Sequence, residues 1–346
     1  MFPLTPKTYH LKHKMSKVKI IFFGTPEFAN TYLESLLNDS DFEIKAVVTQ
    51  PDKPAGRNQE ITYSPVKQIA IEKNIPVLQP ETLKDNLEII NQLKELGTDL
   101  FVVVAYGSII PQAILDIPKS GVINVHPSLL PKYRGASPIQ SALLNGEKKT
   151  GITIMLVDSK MDHGPILVQK IIELTGEETN DILHEQIANS TGNLLTETIK
   201  DYLSGKIKPQ EQDHDQATFC KTIDKSEAKI DWSNTAQEIK QKIYAFYPWP
   251  GTWTMWNPSS PKGSVRASSK RIKIFPPVEI IETKNTSFAK TTEVKAGEAF
   301  MSDKKLAISC GQNSLIIYKL QIEGKKEMLA EEFVRGYGSF IGSILN

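Results

Sequence analysis

Residues 99–107 read DLFVVVAYG, and residues 121–127 read GVINVHP. Their valine and isoleucine runs are short, nearly continuous and closed by glycine or proline, which fits strands buried on both faces of a sheet. Working towards the N-terminus, VKIIFFG (18–24), EIKAVVTQ (43–50) and IPVLQP (75–80) are of the same kind. Between them lie stretches of helical period: FANTYLESLLN (28–38), SPVKQIAIEKN (64–74) and DNLEIINQLKELG (85–97). Thr25 with Pro26, and Ser64 with Pro65, suit the cap and first turn of two of these helices. Towards the C-terminus, PQAILDI (111–117) reads as a short helix. GITIMLVD (151–158) and ILVQKIIEL (166–174) read as a strand and its antiparallel return, and 180–203 as a long helix stopping at Gly205.

Strands alternating with helices imply an open, mostly parallel, doubly wound (Rossmann-like) α/β domain covered on both faces. The polar stretch 206–220 reads as a linker. Beyond it the pattern changes to one helix, TAQEIKQKIYAF (235–246), and short β-like runs: RIKIFPPVEII (271–281), KLAISC (305–310) and SLIIYKLQI (314–322). That predicts a small OB-like β-barrel domain. The expected division is therefore 15–205, a linker at 206–220, and 221–346. Residues 1–14 lack the apolar core of a signal peptide and read as a disordered tail or a misassigned start.

Composition excludes several classes. No apolar run approaches the ~20 residues that span a bilayer. Two cysteines, Cys220 and Cys310, make neither a disulfide framework nor a zinc site, so a reducing compartment, the cytoplasm, is expected. The turn after the first strand, GTPEFAN, has one glycine, so a dinucleotide is not expected. Net charge is +1, yet from residue 221 onward 19 Lys and Arg face 13 Asp and Glu, an excess of +6. An anionic partner or a solvated lysine-rich surface would each account for it.

The stretch NVHPSLLPKYRGASPIQ (124–140) carries chemistry. Asn124 and His126 stand two apart at the carboxyl end of a strand, so their side chains share a face. In open α/β sheets ligands lie beyond the carboxyl ends of strands. An amide donor and an imidazole there suit a developing oxyanion, although a backbone carbonyl could equally satisfy the histidine. Asp162, in MDHG (161–164), follows another strand. It could hydrogen-bond His126, or Asp-x-Gly could be an ordinary turn.

N-x-H-x-S-L-L-P-x-x-R-G followed by D-x-G resembles the formyltransferases that use 10-formyltetrahydrofolate. The resemblance implies that Asn124, His126 and Asp162 are catalytic and that Ser128, Leu129, Leu130 and Pro131 contact the folate co-substrate. TQPDKPAGR (49–57), KIDW (229–232) and AFYPWPGTW (245–253) resemble the branch of that family whose acceptor is charged initiator methionyl-tRNA and which adds a basic C-terminal barrel. By the same resemblance, Arg57 lies in a loop that wedges into the tRNA acceptor end. The family loop after P-A-G-R is usually more basic; here it reads NQEITYS and includes Glu60. Sugar N-formyltransferases share N-x-H and D-x-G, and the P-A-G-R loop and PWPG separate the two readings. Formyl transfer to an amine needs no nucleophilic side chain, so direct attack through a tetrahedral intermediate is expected. No metal, membrane or obligate protein partner is called for.

Overall fold

The computed structural model describes residues 16–55, 60–258, 269–282 and 295–346. The N-terminal tail and Arg57 lie outside them. Two compact units divide the chain: the residues up to 124 together with 192–204, and 125–191 together with 205–346.

In the first unit, strands β1 (Val18–Gly24), β2 (Phe42–Val48), β5 (Val77–Leu78) and β6 (Leu100–Val104) pair in parallel, β6 and β2 flanking β1 and β5 beyond β2. A short antiparallel hairpin, β3 (Lys53–Ala55) and β4 (Glu60–Thr62), leaves the carboxyl end of β2. Helices α1 (Asn30–Asn38), α2 (Pro65–Glu72), α3 (Leu87–Glu95) and α4 (Gln112–Leu115) connect the strands. All five residues of β6 are buried, as its unbroken apolar run requires. Strand β7 (Val122–His126) crosses the boundary between the units, and β9 (Lys149–Leu156) and β10 (Ile166–Glu173) belong to the second. β10 runs antiparallel to its partner, β9, as the return after 158 predicts.

The caps divide on whether a hydroxyl is already occupied. Ser64 accepts from Lys67 N at the start of α2, with Pro65 in the first turn. Thr25 does not cap the helix that follows β1. Its hydroxyl donates to the Tyr106 carbonyl at 3.1 Å and accepts from Gln50 N at 3.3 Å, so it ties strand ends together. The chain instead enters α1 through a 3₁₀ turn, Glu27–Ala29, after an extended Pro26.

The second unit carries β8 (Arg134–Gly135), α5 (Pro138–Leu144) and most of the C-terminal half; the long α6 (Asn180–Leu203) begins in it. Residues 206–220 are not a free tether. Gln210 bridges Ile166, and β11 (Phe219–Cys220) pairs in parallel with β8. Helix α7 (Ala236–Ala245) opens with a capping box between Thr235 and Glu238. The barrel strands β12 (Trp253–Trp256), β13 (Lys270–Ile281), β14 (Ala299–Ser302), β15 (Lys305–Ser309) and β16 (Ser314–Ile322) form an antiparallel curled sheet in the order β12-β13-β16-β15-β14. A short β17 (Met328–Leu329) pairs with β16 and runs into α8 (Ala330–Gly336).

The last residues close this sheet. Met255 and Asn346 exchange backbone hydrogen bonds of 2.8 and 3.0 Å, while Ala299 N donates to Ser343 O and Leu345 N to Gly297 O. The tail therefore lies along both the β12 and β14 edges, which removes exposed strand edges. Its Leu345 joins Trp256, Phe333 and Phe340 in the barrel core. Trp232 of KIDW is buried there too, its indole donating to Thr254 Oγ1 at 3.0 Å.

Candidate functional site

In strand β7 every residue but Asn124 is buried. Asn124 is half-buried and His126 is 4% exposed, at the strand's carboxyl end. Beyond it the chain turns sharply, and polar groups hold the turn to β9 and β10. Ser128 is fully buried and its hydroxyl donates to Lys132 O at 2.7 Å. Leu130 N donates to Thr153 Oγ1, which itself donates to Ser128 O. Gln169 Nε2 donates to Leu130 O at 2.8 Å. Within the predicted folate segment, Ser128 and Leu130 are thus committed to the fold, while Leu129 and Pro131 stay partly exposed.

His126 meets an acceptor at each ring nitrogen. Nε2 lies 2.9 Å from the Tyr133 carbonyl, which can only accept, so Nε2 carries a proton. Nδ1 faces Asp162 Oδ1 at 3.6 Å. The carbonyl that could have satisfied a merely structural histidine is present, and so is the carboxylate. The Nδ1 to Oδ1 separation is longer than a direct hydrogen bond, so a third atom can still compete for the Nδ1 side.

Asp162 sits in the loop between β9 and β10 with φ +48, a left-handed conformation that aspartate tolerates better than most residues. Its Oδ2 accepts from Gly135 N at 2.8 Å. Both glycines of the motifs serve close backbone approach. A Cβ on Gly135, at φ +121, would stand 2.1 Å from Cys220 O, and one on Gly164 would stand 2.0 Å from Leu156 O. Asp-x-Gly is thus a turn, and it sets the Asp162 carboxylate 3.6 Å from His126 Nδ1, beyond a direct hydrogen bond.

Neighbouring groups are strongly desolvated. Burial, reinforced by a hydrogen bond to Glu147, pushes the Tyr133 phenol up to about 12. Burial also pushes the Cys220 thiol up. His163 is held by Asp158 at 2.6 Å and stacks on His214, ring centroids 4.0 Å apart. It takes no part in the His126 pair.

Three residues escape the motif reading. Arg134 is 4% exposed, and Nε and Nη2 donate to Gln212 Oε1 at 3.2 and 2.7 Å. Gln212, 5% exposed, donates onward to the carbonyls of Asp162 and Gly164 at 3.0 and 2.7 Å. Tyr133 supplies the carbonyl for His126. Arg134 and Gly135 are fixed letters of the motif; Gln212 has no local signal, being one polar residue among many.

Among the described residues no group of histidines, cysteines and acids is arranged to hold a metal, and no helix is long and apolar enough to cross a membrane.

Comparison with known proteins gives two family matches, to formyl transferase over residues 17–199 and to the formyl transferase C-terminal domain over 222–338. A methionyl-tRNA formyltransferase of Caldanaerobacter subterraneus subsp. tengcongensis is 39% identical over 95% of this chain and 100% of its own length. Among solved structures, the N-formyltransferase of Helicobacter canadensis in complex with folinic acid and dTDP-3-aminofucose superposes with TM-score 0.59 at 19% identity. The match covers 87% of this chain and 99% of that one. HypX of Aquifex aeolicus in complex with tetrahydrofolic acid gives 0.56 at 15% identity, covering 94% of this chain and 48% of that one. At such identities the two structures speak for the fold alone.

Proposed function

This chain belongs to the methionyl-tRNA formyltransferase family of formyl group transferases, and on that premise we propose that it moves the formyl group of 10-formyltetrahydrofolate to the α-amino group of charged initiator methionyl-tRNA by direct attack. The amine attacks the formyl carbon, and the carbonyl π electrons move onto oxygen. Asn124 and the Nδ1 side of His126 donate to that oxygen, which strengthens only as charge develops and so favours the transition state. Asp162 holds His126 in position and takes the amine proton directly or through water. The oxyanion then reforms the carbonyl as the bond from carbon to N10 breaks, and N10 takes up, directly or through water, the proton that Asp162 accepted.

The observation that carries this reading is the His126–Asp162 pair at 3.6 Å, with the other imidazole nitrogen tied to a backbone carbonyl. One imidazole edge is thereby immobilised and the other is left beside a carboxylate. The ring needs no reorientation during the reaction, which is the preorganisation that electrostatic catalysis requires. Leu129 and Pro131 would offer apolar contact to the folate ring. The basic C-terminal half, with Arg271 over the Trp253 ring at 4.3 Å, would meet tRNA phosphates. Arg57 would act at the acceptor end. The cytoplasm is the compartment proposed for this reaction.

The test is formyl transfer from 10-formyltetrahydrofolate to charged initiator tRNA, run beside glycinamide ribonucleotide and an amino-sugar nucleotide. Formylation of the tRNA, reduced roughly 10²–10³-fold in kcat by Asn124→Ala, supports the reading. Preference for either small amine overturns it.

A further inference from the structure

We infer that Gln212, in the segment between the two sequence domains, is a positioning residue for the reaction centre; this rests on the role proposed above for Asp162. The side chain acts at both ends. Its oxygen accepts two hydrogen bonds from the Arg134 guanidinium, and its amide donates to the Asp162 and Gly164 carbonyls. Arg134 is next in the chain to Gly135, whose N–H holds the Asp162 carboxylate. The ring of contacts therefore fixes Asp162 from two sides, its carboxylate through Gly135 and its backbone through Gln212.

The same segment is joined to β8 along its length. Arg134 N donates to Thr218 O and Ala136 N to Cys220 O, while Tyr133 N donates to Thr218 Oγ1 and Ser137 Oγ to Lys221 O. Tyr133 is the residue whose carbonyl holds His126. The chain leading into the barrel thus braces both partners of the pair. A left-handed Asp162 needs such support, because an unbraced loop would relax towards ordinary dihedrals.

Gln212→Glu separates the two ends of the brace. A carboxylate still accepts from Arg134 and keeps that buried cation partnered, but it cannot donate to the two carbonyls. Gln212→Met removes both ends at similar volume. In Gln212→Glu, kcat should fall roughly 10- to 100-fold, as expected when a reacting group is displaced by about 1 Å. KM for folate and tRNA should stay within about threefold, since neither is contacted. The pH profile of kcat should change, and the ring-nitrogen NMR signals of His126 should shift. Gln212→Met should show the same losses with a lower melting temperature, which Gln212→Glu restores. A folded Gln212→Glu protein with parental kcat, pH profile and His126 signals overturns the brace. If the parent itself fails to formylate methionyl-tRNA, the functional reading falls, and the NMR comparison still decides whether Gln212 positions the pair.

Discussion

Gly135→Ala should be among the most damaging single-methyl changes in this protein. The added carbon would stand 2.1 Å from Cys220 O and 3.2 Å from its carbonyl carbon, where ordinary contact begins near 3.4 Å. Both clashing atoms are backbone, so β8 and β11 must separate by about 1 Å. At φ +121 an L-residue is also strained, at a cost of roughly 1–3 kcal/mol. Separation opens the 3.2 Å bond from Ala136 N to Cys220 O, about 1 kcal/mol. It also disturbs the bond from Gly135 N to the Asp162 carboxylate, roughly 1.5–3 kcal/mol for a charged acceptor. The total is on the order of 3.5–7 kcal/mol, a large share of a typical 5–15 kcal/mol stability. Gly205→Ala is the control, at φ +75 with nothing within 4 Å of its Cβ, and should cost only about 1–2 kcal/mol. Urea melts followed by fluorescence give the two values. At temperatures where Gly135→Ala remains folded, its kcat should also fall tenfold or more, as expected for a misplaced reacting group. Equal destabilisation by the two alanines would refute the steric argument, and a parental kcat would refute the link to Asp162.

Asp162→Asn keeps an oxygen for Gly135 N but turns an amide NH2 towards His126, so kcat should drop roughly 10²–10⁴-fold with melting nearly unchanged; kcat within a few-fold of the parent would assign Asp162 to the turn alone. Deleting residues 343–346 removes the backbone bonds that close the barrel and takes Leu345, 3% exposed in the fold, out of its core, for a loss of roughly 4–6 kcal/mol in a thermal melt. An unaltered melt would show that the sheet is stable with both edges open. Burial pushes the Cys310 thiol up to about 12 from the ordinary thiol value of 9.0. The unfolded chain therefore loses this proton first, and the thiol's contribution is intact below pH 9 and is lost as pH climbs towards 12. The slope is about −1.4 kcal/mol per pH unit in that window. Urea melts between pH 8 and 10.5 should fall less steeply for Cys310→Val, and identical slopes would contradict the assignment.

What the sequence discloses, and what it withholds, follows from the range over which each force acts. A strand buried on both faces must be apolar at every position, so β6 and β1 are legible from seven or fewer residues. The spacing of Asn124 and His126 is legible for the same reason, since period two is a property of the strand itself. Ser64 is a readable cap because its partner is three residues away, at Lys67. Thr25 has the same local credentials and fails, because its hydroxyl is taken by a carbonyl 81 residues distant. Gln212 is the extreme case: its partners lie 48 to 78 residues away, and a glutamine in a polar run looks the same whether it is solvated or buried. Apolar burial is non-directional, so any apolar residue of suitable volume satisfies it and the demand is written locally. A buried polar group needs a particular partner, and its own identity states only that one is required. The residues proposed to perform chemistry are found because their types are unusual at strand ends. Those that hold them in place are found only when the chain has brought their partners together.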